Sequence, residues 1–196
     1  MYKYKTSPFK HQRQALIEGA KLHNFAYFME MGTGKTKVAI DNTAYLYQEK
    51  KIDFAFVIAP NSVYQNWKKE IDFHCPEETN IYIWKVTKDK TFKLDPNKLT
   101  FILMNVEALS HASGKKWLEY KLLKHGMRSM VILDESTSIK NLKASRTKAI
   151  IKLGKLARYK RILTGSPITK SPLDLFSQCA FLDKKLLGYE NFTVFK

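Results

Sequence analysis

The stretch Met29-Glu30-Met31-Gly32-Thr33-Gly34-Lys35-Thr36 decides how this chain is read. An apolar run, Phe25-Ala26-Tyr27-Phe28, leads into it, and a helix-like segment beginning Lys37-Val38-Ala39-Ile40 follows. Strand, glycine loop and helix in that order are the context of a phosphate-binding loop. Gly32 and Gly34 let the backbone aim its N–H groups at phosphate oxygens with no Cβ in the way. Lys35 can reach the β- and γ-phosphates of a nucleotide as a point charge, and Thr36 can offer its hydroxyl to Mg²⁺. With Thr33 between the glycines, residues 32–36 form the candidate nucleotide cradle. The usual template wants a small residue where Met29 sits. The plainer alternative is a glycine-rich strand-to-helix turn with a chance Lys-Thr.

Outward from the loop, apolar runs alternate with helical stripes. Residues 53–59 are a continuous apolar run stopped by Pro60, which reads as a buried parallel strand. Asn61-Ser62 can cap a helix carrying Val63, Trp67 and Ile71, closed by Cys75-Pro76. Further strands are read at 80–86, 99–104, 130–133 and 161–164. A polar excursion with an Asp95-Pro96-Asn97 turn spans 87–98. A helix carries Trp117, Leu118, Leu122 and Leu123 and ends at Gly126, and a last one covers about 173–182. Ser7-Pro8 opens a first helix with Leu16, Ile17 and Ala20 as its stripe, and residues 1–8 read as a loosely ordered basic lead. This alternation predicts an α/β fold, a mostly parallel central sheet with helices on both faces, in one domain over 1–196. In such folds ligands sit at the carboxyl ends of the strands.

One such end carries the second chemical signal. Met130-Val131-Ile132-Leu133 runs directly into Asp134-Glu135. Beside a phosphate loop, an Asp there helps to hold Mg²⁺ and the adjoining Glu orients and deprotonates the attacking water. Lys35, Asp134 and Glu135 are therefore the candidate catalytic residues, with Thr36 and Asp134 on the metal. The alternative is an acidic pair that merely caps the next helix.

Of the 196 residues, 34 are Lys or Arg and 18 Asp or Glu, a net charge of +16 that favours a polyanionic partner, nucleic acid first. From Ser136 to Leu173 there is no acidic residue, while Lys140, Lys143, Arg146, Lys148, Lys152, Lys155, Arg158, Lys160, Arg161 and Lys170 fall within it. That span is the candidate electrostatic face, or simply a solvated one. No apolar run approaches the roughly 20 residues a membrane span needs, so no membrane partner is expected. Cys75 and Cys179 sit in no metal-type spacing and read as free thiols.

Taken together, the segments resemble the first RecA-like lobe of a superfamily 2 helicase, specifically the Swi/Snf-type translocases on double-stranded DNA. His11-Gln12 resembles the glutamine motif, in which Gln12 would read the adenine edge. Residues 30–36 are close to that family's phosphate loop, which also accommodates Met29. Ala59-Pro60-Asn61-Ser62 with Trp67 resembles motif Ia, and Asn105-Val106-Glu107-Ala108-Leu109 the motif Ib region. Asp134-Glu135-Ser136-Thr137 with Ile139-Lys140-Asn141 resembles motif II, departing from the commoner Asp-Glu-Ala-His. Leu163-Thr164-Gly165-Ser166-Pro167 resembles motif III.

The resemblance implies an ATP hydrolase using Mg²⁺ on duplex DNA. In it Asn61, Ser62, Asn105, Lys140 and Asn141 lie along the DNA, and Thr164, Gly165 and Ser166 couple the two sites. Each has a plainer alternative: Asn61-Ser62 as a helix cap, 164–166 as a turn, Trp67 as core. The resemblance also implies a second RecA-like lobe, whose arginines this chain does not supply. A fragment or a one-lobe remnant is expected, binding ATP but hydrolysing it slowly alone, since such an arginine is worth about 10³–10⁵ in rate. A strand-separating helicase lobe, or a non-catalytic DNA-binding module that responds to nucleotide, stays open. The compact, lysine-rich style is similar to phage or bacterial relatives, which implies a cytoplasmic protein.

Overall fold

The computed structural model describes residues 2–61, 63–85, 95–189 and 192–195. Strands β1 Asn24–Phe28, β2 Phe54–Ala59, β3 Thr79–Ile83, β4 Leu99–Asn105, β5 Ser129–Asp134 and β6 Tyr159–Thr164 form one sheet in the order β1-β6-β5-β2-β4-β3. Every pairing is parallel. Parallel neighbours require crossovers. These are supplied by α2 Lys35–Gln48, α3 Tyr64–His74, α4 Ala112–His125 and α5 Ser145–Gly154, with α1 Lys10–Gly19 before the sheet and α6 Asp174–Leu182 after it.

Strands β2 and β5 are buried along their whole length, as a sheet covered on both faces demands. Their side chains alternate. Ala55, Val57 and Ile132 join Leu16, Ile40, Trp67 and Ile71 in the core beneath α1–α3. Phe56, Ile58, Val131 and Leu133 join Leu118, Leu122, Ile150 and Phe181 in the core beneath α4–α6. Helix α2 is buried nearly all round, because α1 and α3 flank it and the sheet floors it.

Several expectations need correction. The lead before α1 is not loose: Tyr2 and Tyr4 pack against the first core, and the Tyr2 hydroxyl donates to Asp41 Oδ1 at 2.9 Å. Lys5 Nζ donates to the Asp72 carbonyl at 2.7 Å. The signal was there as Tyr2/Tyr4 alternating with Lys3/Lys5, the period of an extended segment with one face inward. Ile17 and Leu123, placed on apolar stripes, are 64% and 69% exposed. Arg161 leaves the basic face altogether. It is fully buried, its Nε donating to Asn42 Oδ1 at 2.7 Å and its Nη groups to the carbonyls of Gly19, Leu22, His23 and Lys160. A planar fork with five donors can be satisfied by the carbonyls of the α1–β1 connection, its own strand neighbour and a side chain of α2 together, which a lysine could not match.

Ser62, the end of the strand read at 80–86, and most of the 87–98 excursion lie outside the described residues. The described part of that excursion does turn at Asp95, whose Oδ1 accepts from Asn97 N at 3.0 Å.

Candidate nucleotide-binding site

Strand register brings the motifs to one edge. Phe28 pairs with Thr164, Leu163 with Asp134, and Ala59 with Asn105, so β1, β6, β5, β2 and β4 all end side by side. This is the carboxyl edge at which an open parallel sheet leaves a crevice.

The phosphate loop turns through Gly32 and Gly34 at φ +76° and +83°. Only glycine adopts these values without strain. A Cβ on Gly34 would also lie 2.2 Å from Gln12 Nε2. Gln12 is buried against the loop: Nε2 donates to the Thr33 carbonyl at 3.0 Å, and Oε1 accepts from Phe9 N at 3.0 Å, capping α1. His11 Nε2 also lies 3.0 Å from the Thr33 carbonyl. Lys35 Nζ folds back onto the loop, donating to the Met29 and Glu30 carbonyls at 3.0 Å each. Thr36 is half-buried in the first turn of α2. The helix N-terminus and its unpaired N–H groups thus open onto the loop.

Asp134 ends β5, 4% exposed. Its Oδ2 accepts from Trp67 Nε1 at 2.7 Å and its Oδ1 from Glu135 N at 2.9 Å. Burial pushes its carboxyl up, against the downward pull of the Trp67 and Glu135 donors and the Lys35 charge. Glu135 is half-buried at φ +47°, ψ +63°, a left-handed conformation that costs a non-glycine residue about 1 kcal/mol or more. Its carboxyl is likewise raised, by burial first and then by the Asp134 charge, and is lowered by Lys35. Lys35 is therefore close enough to be felt at both carboxylates. A single strand-end aspartate, with the hydroxyl of Thr36 on the helix that follows the loop, fits Mg²⁺, which keeps waters and binds substrate phosphates rather than sitting in an all-protein cage.

The Thr164-Gly165-Ser166 turn lies against the loop. Thr164 O accepts from Met29 N at 3.2 Å, and a Cβ on Gly165 would stand 3.3 Å from Met31 N. Thr164 Oγ1 accepts from Ser166 N at 3.2 Å. A residue that sequence reading missed joins this turn to the acidic strand. Gln178 on α6 accepts from the Ser136 hydroxyl, and its Nε2 donates to Pro167 O at 2.7 Å and Asp174 O at 2.8 Å. Its polarity inside an otherwise apolar helical run was the available signal. Trp67 was placed correctly in the core, but its hydrogen bond to Asp134 was not foreseen.

The remaining candidates lie around the same edge. Asn61 is exposed after β2. Asn105 Oδ1 accepts from Glu107 N at 2.6 Å, and Asn141 Oδ1 from Lys143 N at 3.0 Å, so in each the side-chain carbonyl is engaged locally, two residues on. Lys140 Nζ donates to Thr169 Oγ1 at 2.8 Å. Thr169 in turn donates to Asp174, whose carboxyl is held well below the usual range by the Lys170 and Thr169 donors.

Comparison with known families now decides the lineage: the model of the SNF2-related domain matches residues 20–196. The chain belongs to the SNF2-related domain family. This SNF2-related chain is 30% identical over 167 residues to the SWI/SNF-related matrix-associated actin-dependent regulator of chromatin subfamily A-like protein 1 homolog of Caenorhabditis elegans, covering 85% of the chain and 22% of that protein. It is 28% identical to the chromatin-remodeling ATPase INO80 of Arabidopsis thaliana, over 78% of the chain and 10% of that protein. The chain thus spans less than a quarter of these relatives' length. The solved SWI2/SNF2 ATPase core of Sulfolobus solfataricus in complex with dsDNA superposes with a TM-score of 0.80 at 24% identity, covering 100% of this chain and 39% of that one, which establishes a shared fold. The nematode and plant relatives lend no support to a phage or bacterial origin. Among the described residues no helix is long and apolar enough to cross a membrane.

Proposed function

We propose that the SNF2-related chain is one RecA-like lobe over residues 1–196, the nucleotide-binding half of an ATP-driven motor on duplex DNA. The observation that carries this is the meeting of loop 29–36, Asp134-Glu135 and turn 164–166 at one sheet edge, with Lys35 felt at both carboxylates. Gly32, Thr33, Gly34, Lys35 and Thr36 would cradle the phosphates of ATP, and Thr36 and Asp134 would hold Mg²⁺. Bound there, Mg²⁺ supplies charge neutralisation at the β- and γ-phosphates. Lys35 would exchange its loop carbonyls for phosphate oxygens. Glu135, in its strained conformation, would orient and deprotonate the attacking water. The Gln12 amide, already on the loop, would set the position of the adenine side.

The side-chain amides of Asn105 and Asn141, with Asn61, Ser62 and Lys140, would donate to phosphates of one DNA strand, giving affinity without sequence choice. The turn at 164–166 touches the loop and, through Gln178, the segment after Asp134. It is the element that would pass a loop movement to the DNA side. Transition-state arginines would come from a second RecA-like lobe, in the same chain or another, so hydrolysis by this lobe alone is slow.

The test is ATP hydrolysis with and without duplex DNA, for this lobe alone and for a two-lobe protein. DNA-stimulated turnover should appear only in the latter and vanish in Lys35→Ala and Glu135→Gln. Nucleotide binding with no turnover in the two-lobe protein would instead identify a nucleotide-responsive DNA-binding module, and separation of strands would identify an unwinding helicase.

A further inference from the structure

A cavity of about 380 Å³ lies between α5 and α6, with Leu142, just before α5, also in its lining. Helix α5 starts after the carboxyl end of β5 and runs back to deliver the chain to the start of β6, so the cavity extends along the flank toward the opposite edge of the sheet. Its floor is apolar: Ile151, Phe176 and Ala180, with Phe192 packed on Phe176 at 5.3 Å between ring centroids. Its rim is cationic. Lys148, Lys152 and Lys155 follow one another at helical spacing on one side, and Lys184 faces them from just beyond α6.

All four lysines are exposed. Like charges four apart on a helix repel, so this stripe does not serve helix stability. Among the described residues only Lys152 has an acidic partner, Glu119, in an exposed pair at 3.2 Å. The nearest acidic residue in sequence to Lys184, Asp183, turns its carboxylate to Lys185 N at 2.9 Å.

We propose that this cavity is a docking site for an acidic amphipathic segment of a partner protein, its apolar anchors seated on the Ile151–Phe176–Ala180 floor and its carboxylates on the lysine rim. Charge complementarity sets the sign of the partner. The apolar floor sets its class. Duplex DNA presents its phosphates outermost and keeps its base edges recessed in the grooves, so it has no projecting apolar group to fill such a floor, whereas an amphipathic peptide presents carboxylates and apolar side chains at once. The lining reaches Leu142, next to Asn141, so a duplex oligonucleotide is the competitor that the experiment has to include.

The experiment is fluorescence anisotropy on the full chain with a labelled peptide of about 14 residues, rich in Glu and Asp, with a Phe and a Leu one helical turn apart. Saturable binding is expected. It should weaken by about tenfold or more in Lys148→Glu/Lys152→Glu and in Ala180→Trp, which fills the floor, and in a peptide with both anchors changed to Ser. Raising salt from about 50 to about 300 mM should also weaken it. Each variant is checked by thermal melting, with Lys155→Glu/Lys184→Glu as a second charge reversal outside the regular span of α5. Absence of saturable binding overturns the proposal, as does binding indifferent to Ala180→Trp. If a duplex oligonucleotide displaces the peptide, and Lys148→Glu/Lys152→Glu cuts duplex affinity while Ala180→Trp does not, the lysines belong to a nucleic-acid face and the peptide site is refuted.

Discussion

The indole Nε1 of Trp67 donates to Asp134 Oδ2 at 2.7 Å across 67 residues of sequence, and both groups are buried. Helix α3 is thereby fastened to the carboxylate proposed to hold the metal. The bond fixes one carboxylate oxygen and holds the charged form of a group that burial otherwise disfavours.

Trp67→Phe keeps most of the ring volume and removes the donor. Leaving a buried acceptor unpaired costs about 1–3 kcal/mol, measurable as a lower urea midpoint. The Asp134 carboxyl, already raised, should rise further, because one of the donors opposing that rise is gone. Unchanged stability together with unchanged carboxyl titration would show that the bond does not form in solution.

Glu135 should titrate above the usual glutamate range, followed by carboxyl-carbon NMR. Since Asp134 is one of the causes, Asp134→Asn should lower it. The sign for stability follows: a carboxyl whose folded pKa is raised binds its proton more readily in the native state. Its contribution is therefore fully present below the unfolded pKa and is lost as pH rises through the folded one. Glu135→Gln should remove that loss, so its advantage over the unsubstituted chain grows with pH across this window.

Gly34→Ala and Gly32→Ala should behave differently although both residues have positive φ. At Gly34 a Cβ meets Gln12 Nε2 at 2.2 Å, whereas at Gly32 nothing lies within 4 Å. The first must push Gln12 off the loop and should weaken binding of a fluorescent ATP analogue by about tenfold or more. The second carries the backbone penalty alone, about 1 kcal/mol. Equal losses would place the defect in φ and not in the Gln12 contact.

Arg161→Lys should be among the most destabilising conservative changes in this protein, by about 1–3 kcal/mol, since one ammonium cannot replace the fork: Leu22 O loses its donor, while Gly19 O, His23 O and Asn42 Oδ1 keep only Leu22 N, Lys160 N and the Tyr27 hydroxyl. Lys143→Gln, exposed in the same acid-free span, should fall within about 0.5 kcal/mol of the unsubstituted chain. Chemical denaturation of both variants separates the two kinds of basic residue that the span contains.

The contrast between Arg161 and Lys143 shows what was legible in advance. Strand and helix order came from apolar periodicity, which is local. The loop at 29–36 and the pair at 134–135 could be found because each is contiguous and each sits at the end of an apolar strand. Arg161 could not be sorted from its neighbours, because its environment is built by Gly19, Leu22 and His23 on the far side of the chain. Tyr2 and Tyr4 were misread for a similar reason. Their inward period is visible over only a few residues, and the Asp41 that Tyr2 binds is distant in sequence.

The alternation that makes a parallel sheet, the glycine loop, the acidic strand end and the basic excess are all written along the chain, since each depends on neighbours in sequence. Folding in three dimensions was needed to bring Trp67 to Asp134, Gln178 to Ser136 and Pro167, and Gln12 to the loop at Gly34, and to gather the lysines that rim an apolar cavity. Those relations are set by sheet order, in which β5 lies between β2 and β6 although other elements separate them in the chain. Hydrogen bonds and charge act over a few ångströms of space, and a linear pattern does not record which distant segments the sheet brings within that range.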